Sequence, residues 1–303
     1  MVVLFFVRIN ILLMVLIARF VIFIYSLISK LPLRWLYVFS DIFAWFMYYV
    51  RIFPVQKIVR RRIAQAFPHE SMTWKRKVER DFYRKASDFG AEFIKLISWN
   101  KEEISSRLHF TNIQLLKNLL EQHRYVVCFG GHFVNYELFT VLPMHLGDYG
   151  MCNYYDDTIR SIYPELDQWI QNLRSRCGSI NIPISSPLRA ILKLNQEITS
   201  DDSQLKGFVL GSLLDTRKVG PNQQKASIMG EEFPLHYGTE KIGLRLGAAF
   251  VYAHMSCPER GQYEVTLKDI HPDEKGSYMK SYIEELEYNI QQQPSLWLMW
   301  GAS

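Results

Sequence analysis

The sequence predicts an α/β fold, a mixed central sheet covered by helices on both faces, preceded by an N-terminal hydrophobic membrane-anchoring helical region. Three observations predict it. Residues 1–50 are almost continuously apolar and aromatic, and from Arg124 onward short β-rich segments alternate with helical stretches. The 303 residues are 49% hydrophobic, with no Pro/Gly/Ser-rich linker or internal repeat, which suits one large core. Residues 1–50 are therefore assigned to an anchor with interfacial helices, and residues 51–303 to the remaining domain.

Residues 1–29 are long enough for a span of about 20 residues. No small-residue cleavage site follows them, so they are not read as a removed signal peptide. Arg8 and Arg19 interrupt the apolar run, and an arginine at a helix centre costs about 2.5 to 3.5 kcal/mol on insertion scales. At 100° per residue, however, Arg8, Arg19, Ser26 and Lys30 fall within roughly 40° of one another. The expectation is a helix with one polar stripe turned to headgroups or to the protein's own domain.

Residues 31–50 carry Trp35, Tyr37, Phe39, Phe43, Trp45, Phe46, Tyr48 and Tyr49. Aromatics at this density suit a half-submerged interfacial helix, the alternative being a core helix. Next, Arg51, Lys57, Arg60, Arg61, Arg62, Lys75, Arg76, Lys77, Arg80, Arg84 and Lys85 face only Glu70, Glu79 and Asp81. A basic run directly after an apolar N-terminus points to membrane phosphates or an acidic carrier protein. Nucleic acid is set aside because no recognised binding module accompanies the run.

Further along, residues 125–129, 207–214, 248–254 and 263–267 read as strands, and 162–174, 188–198 and 239–246 as helices, the last with Thr239 as N-cap. Cys128, Cys152, Cys177 and Cys257 stand apart without a CxxC pair, against both a zinc site and a secreted disulfide scaffold, and the domain is expected to be cytosolic. His145, His236 and His254 lack metal-ligand spacing, so no metal and no cofactor are expected.

The most informative stretch is Val126-Val127-Cys128-Phe129-Gly130-Gly131-His132-Phe133-Val134-Asn135-Tyr136-Glu137. An apolar strand ends in two glycines, and His132 and Glu137 follow five residues apart at a junction leading into an apolar, helix-like stretch over 137–144. An imidazole takes a proton at neutral pH, and a neighbouring carboxylate fixes its tautomer. Asp215 closes a second apolar strand, where an acid is costly unless paired or functional. Loops at strand ends can bring His132 and Asp215 together.

Gly130, His132, Phe133, Asn135 and Glu137 match G-x-H-F-x-N-x-E, and here the chain resembles the bacterial lipid A biosynthesis acyltransferases, the late lauroyl and myristoyl transferases within the lysophospholipid acyltransferase superfamily. In the family's order lie also Ala66-Phe67-Pro68, Glu92-Phe93-Ile94-Lys95, Leu173-Arg174-Ser175-Arg176 with Gly178, Leu214-Asp215, and Gly238-Thr239-Glu240-Lys241, the last typical of Bacteroidetes-like sequences.

The resemblance implies an acyltransferase domain at the cytoplasmic face of a bacterial inner membrane. It would move a fatty acyl chain from an acyl carrier protein thioester to a hydroxyl of a lipid A precursor, without cofactor, metal or covalent intermediate. His132 would be the base, Glu137 its partner and Arg174 the leading oxyanion donor, with Arg176 beside it. Asp215 would orient an arginine or a substrate hydroxyl. Gly131, Asn135, Arg176 and Arg217 would line the substrate site, Asn135 chiefly by shaping the turn. Three departures from the family's pattern suggest a divergent acceptor: Tyr154-Tyr155-Asp156 in place of Y-R-P, Asp215-Thr216 in place of D-Q, and an end at Trp300-Gly301-Ala302-Ser303 in place of a His-Arg tail. An amino-acid lipid or lysophospholipid acceptor is the nearest alternative, and a catalytically degenerate lipid-binding membrane protein the more distant one.

Overall fold

A computed structural model describes residues 2–50, 52–200, 203–217 and 224–302, with side chains described from Met14 onward. Helices α1 (Val2–Ser29) and α2 (Leu33–Tyr49) lead into α3 (Pro54–Ala66) and α4 (Met72–Lys95). Pro54 opens α3, where the missing N–H costs nothing, and the Ser71 hydroxyl accepts from Trp74 N at the start of α4. On α2 only Leu36, Ser40 and Ala44 are buried, one i, i+4, i+8 stripe packed against α4. Its other faces expose Trp35, Phe39, Phe43 and Trp45. No single described helix is long and apolar enough to cross a membrane, though Met14–Ser29 and Leu33–Tyr49 together meet the length and composition needed, bent by 111°.

The polar stripe foreseen on α1 is partly described. Arg19 reaches Glu165, with its Nη2 2.9 Å from Oε1, so it turns to the protein's own domain. Arg8 lies outside the described side chains.

The rest of the chain is α5 (Lys101–Ser105), β1 (Leu108–Phe110), α6 (Ile113–His123), β2 (Tyr125–Gly130), α7 (Pro143–Leu146), β3 (Tyr149–Tyr155), α8 (Pro164–Ser175), β4 (Ser179–Pro183), α9 (Pro187–Ile198), β5 (Gly207–Leu213), β6 (Gln224–Ile228), β7 (Glu231–Leu235), α10 (Gly238–Leu246), β8 (Ala249–Glu259), β9 (Gln262–Asp269) and α11 (Met279–Gln292). Seven strands form one sheet in the order β1-β9-β8-β2-β5-β3-β4, parallel except for the β8–β9 pair, while β6 and β7 form a separate hairpin.

Period-2 alternation divides the core between the two faces of this sheet. Phe208 and Leu210 of β5 and Cys152 of β3 join Ile191 and Ile198 of α9 on one side. Their neighbours Val209 and Met151 join the main core with Leu116 and Leu120 of α6. Strand β2 is buried at every position, as befits a central parallel strand. The 137–144 stretch is a 3₁₀ helix, Tyr136–Val141, and then the short α7, broken at Pro143. At α10 the cap position is Tyr237, and the Thr239 hydroxyl instead meets that of Ser212 at 3.1 Å.

Candidate active site

Strands β2 and β5 are parallel neighbours in a register that sets Gly130 opposite Leu213. His132 and Asp215 each stand two residues beyond those strand ends, so the register brings them level. The His132 ring Nδ1 lies 2.7 Å from Asp215 Oδ1, and the His132 backbone N–H donates to Oδ2 at 2.8 Å. A third donor comes from the far end of the chain, the Trp297 indole N–H, 2.7 Å from Oδ2.

Asp215 is completely buried, and three donors meet the requirement that a buried carboxylate be hydrogen-bonded. Burial by itself would raise its pKa, but the charge of His132 and the hydrogen bonds from His132 and Trp297 outweigh it and hold the carboxyl below its ordinary value. For His132 burial pulls the imidazole down, and Asp215, helped by the more distant Glu137, pushes it up by more. The ring keeps 22% of its surface open and has Tyr136 edge-on at 5.3 Å.

The C-terminal segment fixes this loop by its backbone. Leu298 N–H donates to His132 O and Val134 N–H to Leu296 O, each at 2.8 Å, with Phe133 bridging to Trp297. Arg62 of α3 donates to the carbonyls of Met299, Trp300 and Ala302 at 3.2, 3.0 and 2.6 Å. One cation of the basic run thus points inward and pins the segment that carries Trp297.

The structure corrects the pairing expected from the five-residue spacing. Glu137 does not partner His132; its carboxylate is taken by the guanidinium of Arg174, through Nε to Oε2 at 2.8 Å and Nη2 to Oε1. The cause is local: Asn135 adopts a left-handed conformation (φ 61°, ψ 31°), which turns the chain into the 3₁₀ helix and aims Glu137 at α8. Asp215 therefore contacts the histidine rather than an arginine. A narrow crevice with only about 10 Å³ of free space, lined by Phe93, Leu96, Ile104, Thr140, Ile170 and Leu173, has Glu137 and Arg174 in its wall. A second depression, bordered by Leu235, Tyr237, Asp273 and Met279, contains none of the site residues.

The residues assigned to substrate contact fare differently. Asn135 is buried and shapes the turn, its side-chain amide donating to Glu92. At Gly131 a Cβ would come within 2.6 Å of Leu286 and Phe133, so close packing accounts for the glycine. Arg176 donates to the carbonyl of Trp99 at 2.5 Å, and Arg217 pairs with Glu231 at 2.5 Å while lying over the Phe233 ring. Neither arginine is turned to His132. Nothing local in the sequence marks Trp297 for the site, although a buried indole N–H usually finds an acceptor. Among the described residues no group of three or more His, Cys, Asp and Glu side chains is placed to hold a metal ion.

A part-exposed imidazole with one nitrogen fixed by a buried carboxylate, beside an arginine–glutamate pair, is the layout of a general-base site. The model of the family described as bacterial lipid A biosynthesis acyltransferase matches residues 8–300. The chain belongs to that family, and it is an acyltransferase. Such an enzyme uses an acyl donor and a lipid acceptor, and the family suggests membrane association. No individually curated protein matches the chain.

Proposed function

We propose that the protein transfers a fatty acyl chain from an acyl carrier protein thioester to a hydroxyl of a lipid A precursor, as a late secondary acylation, with His132 as general base. The observation that carries this reading is the 2.7 Å contact between His132 Nδ1 and the buried Asp215. A carboxylate is acceptor-only, so Nδ1 keeps the proton and Nε2 presents its lone pair. The acceptor hydroxyl gives its proton to Nε2 as its oxygen attacks the thioester carbonyl. Collapse of the tetrahedral intermediate expels the carrier thiolate, which recovers the proton from the imidazolium. Asp215 stabilises that cation throughout.

Glu137 and Arg174 act as a unit in this reading. Glu137 holds the guanidinium, and the edge of Arg174 not engaged by Glu137 faces the developing oxyanion, a donor of the kind typically worth about 2.7 to 4 kcal/mol. The exposed faces of α1 and α2, with Phe20, Phe23, Trp35, Phe39 and Trp45, would lie in the cytoplasmic leaflet of the inner membrane, and the outward cations of α3 and α4 would meet lipid phosphates or the acidic carrier.

Purified protein given an acyl carrier protein thioester and candidate acceptor lipids should release free carrier thiol, and His132→Ala should abolish the release. Equal rates in the two proteins would overturn the mechanism. Recovery of the full-length chain in the soluble fraction after a carbonate wash would overturn the membrane assignment.

A further inference from the structure

Glu92 of α4 is completely buried, and no ion pair reaches it among the described residues. It accepts only from neutral donors: the Tyr37 hydroxyl at 2.6 Å, the Tyr263 hydroxyl at 2.8 Å, and the side-chain amide of Asn135. A buried acid without a cation is costly, and an apolar residue would fill the same space more cheaply. The three donors come from three places: α2, β9, and the loop between His132 and Glu137.

The loop partner is the informative one. Asn135 is buried in the left-handed region, which asparagine enters more readily than most residues other than glycine, and its carbonyl accepts from Leu138 N–H at 3.0 Å to open the 3₁₀ helix that carries Glu137. Tyr37 belongs to the helix whose outer face exposes Trp35 and Phe39. Two further contacts seat that helix on α4 and the β8–β9 turn: Ser40 on Asp88 at 2.5 Å, and the Arg260 guanidinium over the Tyr37 ring at 4.1 Å.

We propose that Glu92 is a positioning residue of the reaction: it locks Asn135 in its left-handed conformation, so fixing the path from His132 to Glu137, and it anchors that loop through Tyr37 to α2, the helix with the exposed aromatic face. The inference rests on the acyl-transfer reading for its kinetic consequence, though not for its structural one.

The test is hydrogen–deuterium exchange of the full chain in detergent micelles over residues 131–138, run beside the thiol-release assay. Glu92→Ala should raise exchange in that segment and lower kcat, each by about tenfold, with KM for the thioester changed less than about twofold. Glu92→Gln, which keeps one acceptor oxygen, should fall between. Adding Asn135→Gly to Glu92→Ala removes the steric cost of the left-handed conformation without fixing it, so it should restore part of the lost kcat and leave the exchange raised. Unchanged exchange in Glu92→Ala and Glu92→Gln would overturn the proposal. So would a loss of kcat that Asn135→Gly leaves in place, since Glu92 would then be only a packing element. The exchange measurement needs no substrate, so a wild-type chain without transferase activity would sink the acyl-transfer reading and leave this proposal to be decided by exchange.

Discussion

Replacing Asp215 by asparagine removes a charge while keeping the shape, and the hydrogen-bond geometry sets the consequence. The aspartate accepts from His132 Nδ1 on Oδ1 and from both His132 N and Trp297 Nε1 on Oδ2. An asparagine has one acceptor oxygen, which settles where two donors await it. Its NH₂ then faces Nδ1, which must become the acceptor, so the proton moves to Nε2 and the base is lost. Turning the amide over restores the useful tautomer but leaves two buried N–H donors facing an NH₂. At about 1 to 3 kcal/mol for each unsatisfied group the penalty is roughly 2 to 6 kcal/mol, or about 30-fold to 10⁴-fold in kcat. The upper end is what the same substitution costs in the serine-protease triad, where the wrong tautomer is also held. Single-turnover release of carrier thiol measures the effect, with circular dichroism to verify the fold. A tautomer defect is not cured by raising pH, so the loss should persist from neutral to alkaline conditions. A folded Asp215→Asn enzyme with kcat within about threefold of wild type would refute the reasoning.

Other consequences are of different size and kind. Trp297→Phe deletes a buried hydrogen bond to a charged acceptor and should lower stability to denaturant by about 1.5 to 3 kcal/mol, with a fall in kcat smaller than that of Asp215→Asn; undiminished stability would mean that the indole is not bonded to Asp215. Glu137→Gln should weaken the hold on Arg174 and cost about tenfold in kcat while moving the acidic limb of the pH profile slightly to lower pH, since Glu137 adds to the upward push on His132, whereas a loss equal to that of Asp215→Asn would restore Glu137 as the histidine's partner. The wild-type acidic limb should itself lie above the ordinary histidine value, because His132 is raised and works only when neutral. Stability runs the other way. Pairing raises His132, so its contribution is full below the ordinary histidine pKa and fades as pH climbs through the folded-state value. Asp215 is depressed, so its contribution is full above the ordinary carboxylate pKa and fades as pH falls through its own folded-state value. Chemical denaturation across pH should therefore show the pair most stabilising between those limits, and a flat profile in that range would contradict the linkage.

The parts of this molecule that were legible in the sequence are those whose signal is local. Strands β2, β5, β8 and β9 announce themselves as apolar or alternating runs, and α8, α9 and α10 lie within a residue or two of where periodicity places them. Strands β1 and β4 are short, β3 carries mixed residues (Tyr149 to Tyr155), and the β6–β7 hairpin is polar on its exposed faces, so none produces a period-2 signal strong enough to read. The same divide runs through the site. His132 and Asp215 were visible as polar residues at the ends of apolar strands, but their partnership depends on the β2–β5 register, which joins residues 83 apart. Trp297 is 82 residues from Asp215. Glu137 misled because closeness in sequence suggested closeness in space, and a single left-handed residue between it and His132 sends it to Arg174 instead. Arg62 misled in a similar way, as one cation in a basic run whose C-terminal carbonyl partners lie more than 230 residues further on.

Nitrogen NMR of the protein carrying ¹⁵N-labelled histidine reads the His132 tautomer directly, before any substrate is added. The geometry predicts a proton on Nδ1 in the wild type and in Glu137→Gln, and its transfer to Nε2 in Asp215→Asn. A tautomer that survives Asp215→Asn and is lost in Glu137→Gln would show that the histidine answers to the other acid, and would contradict the account at its centre.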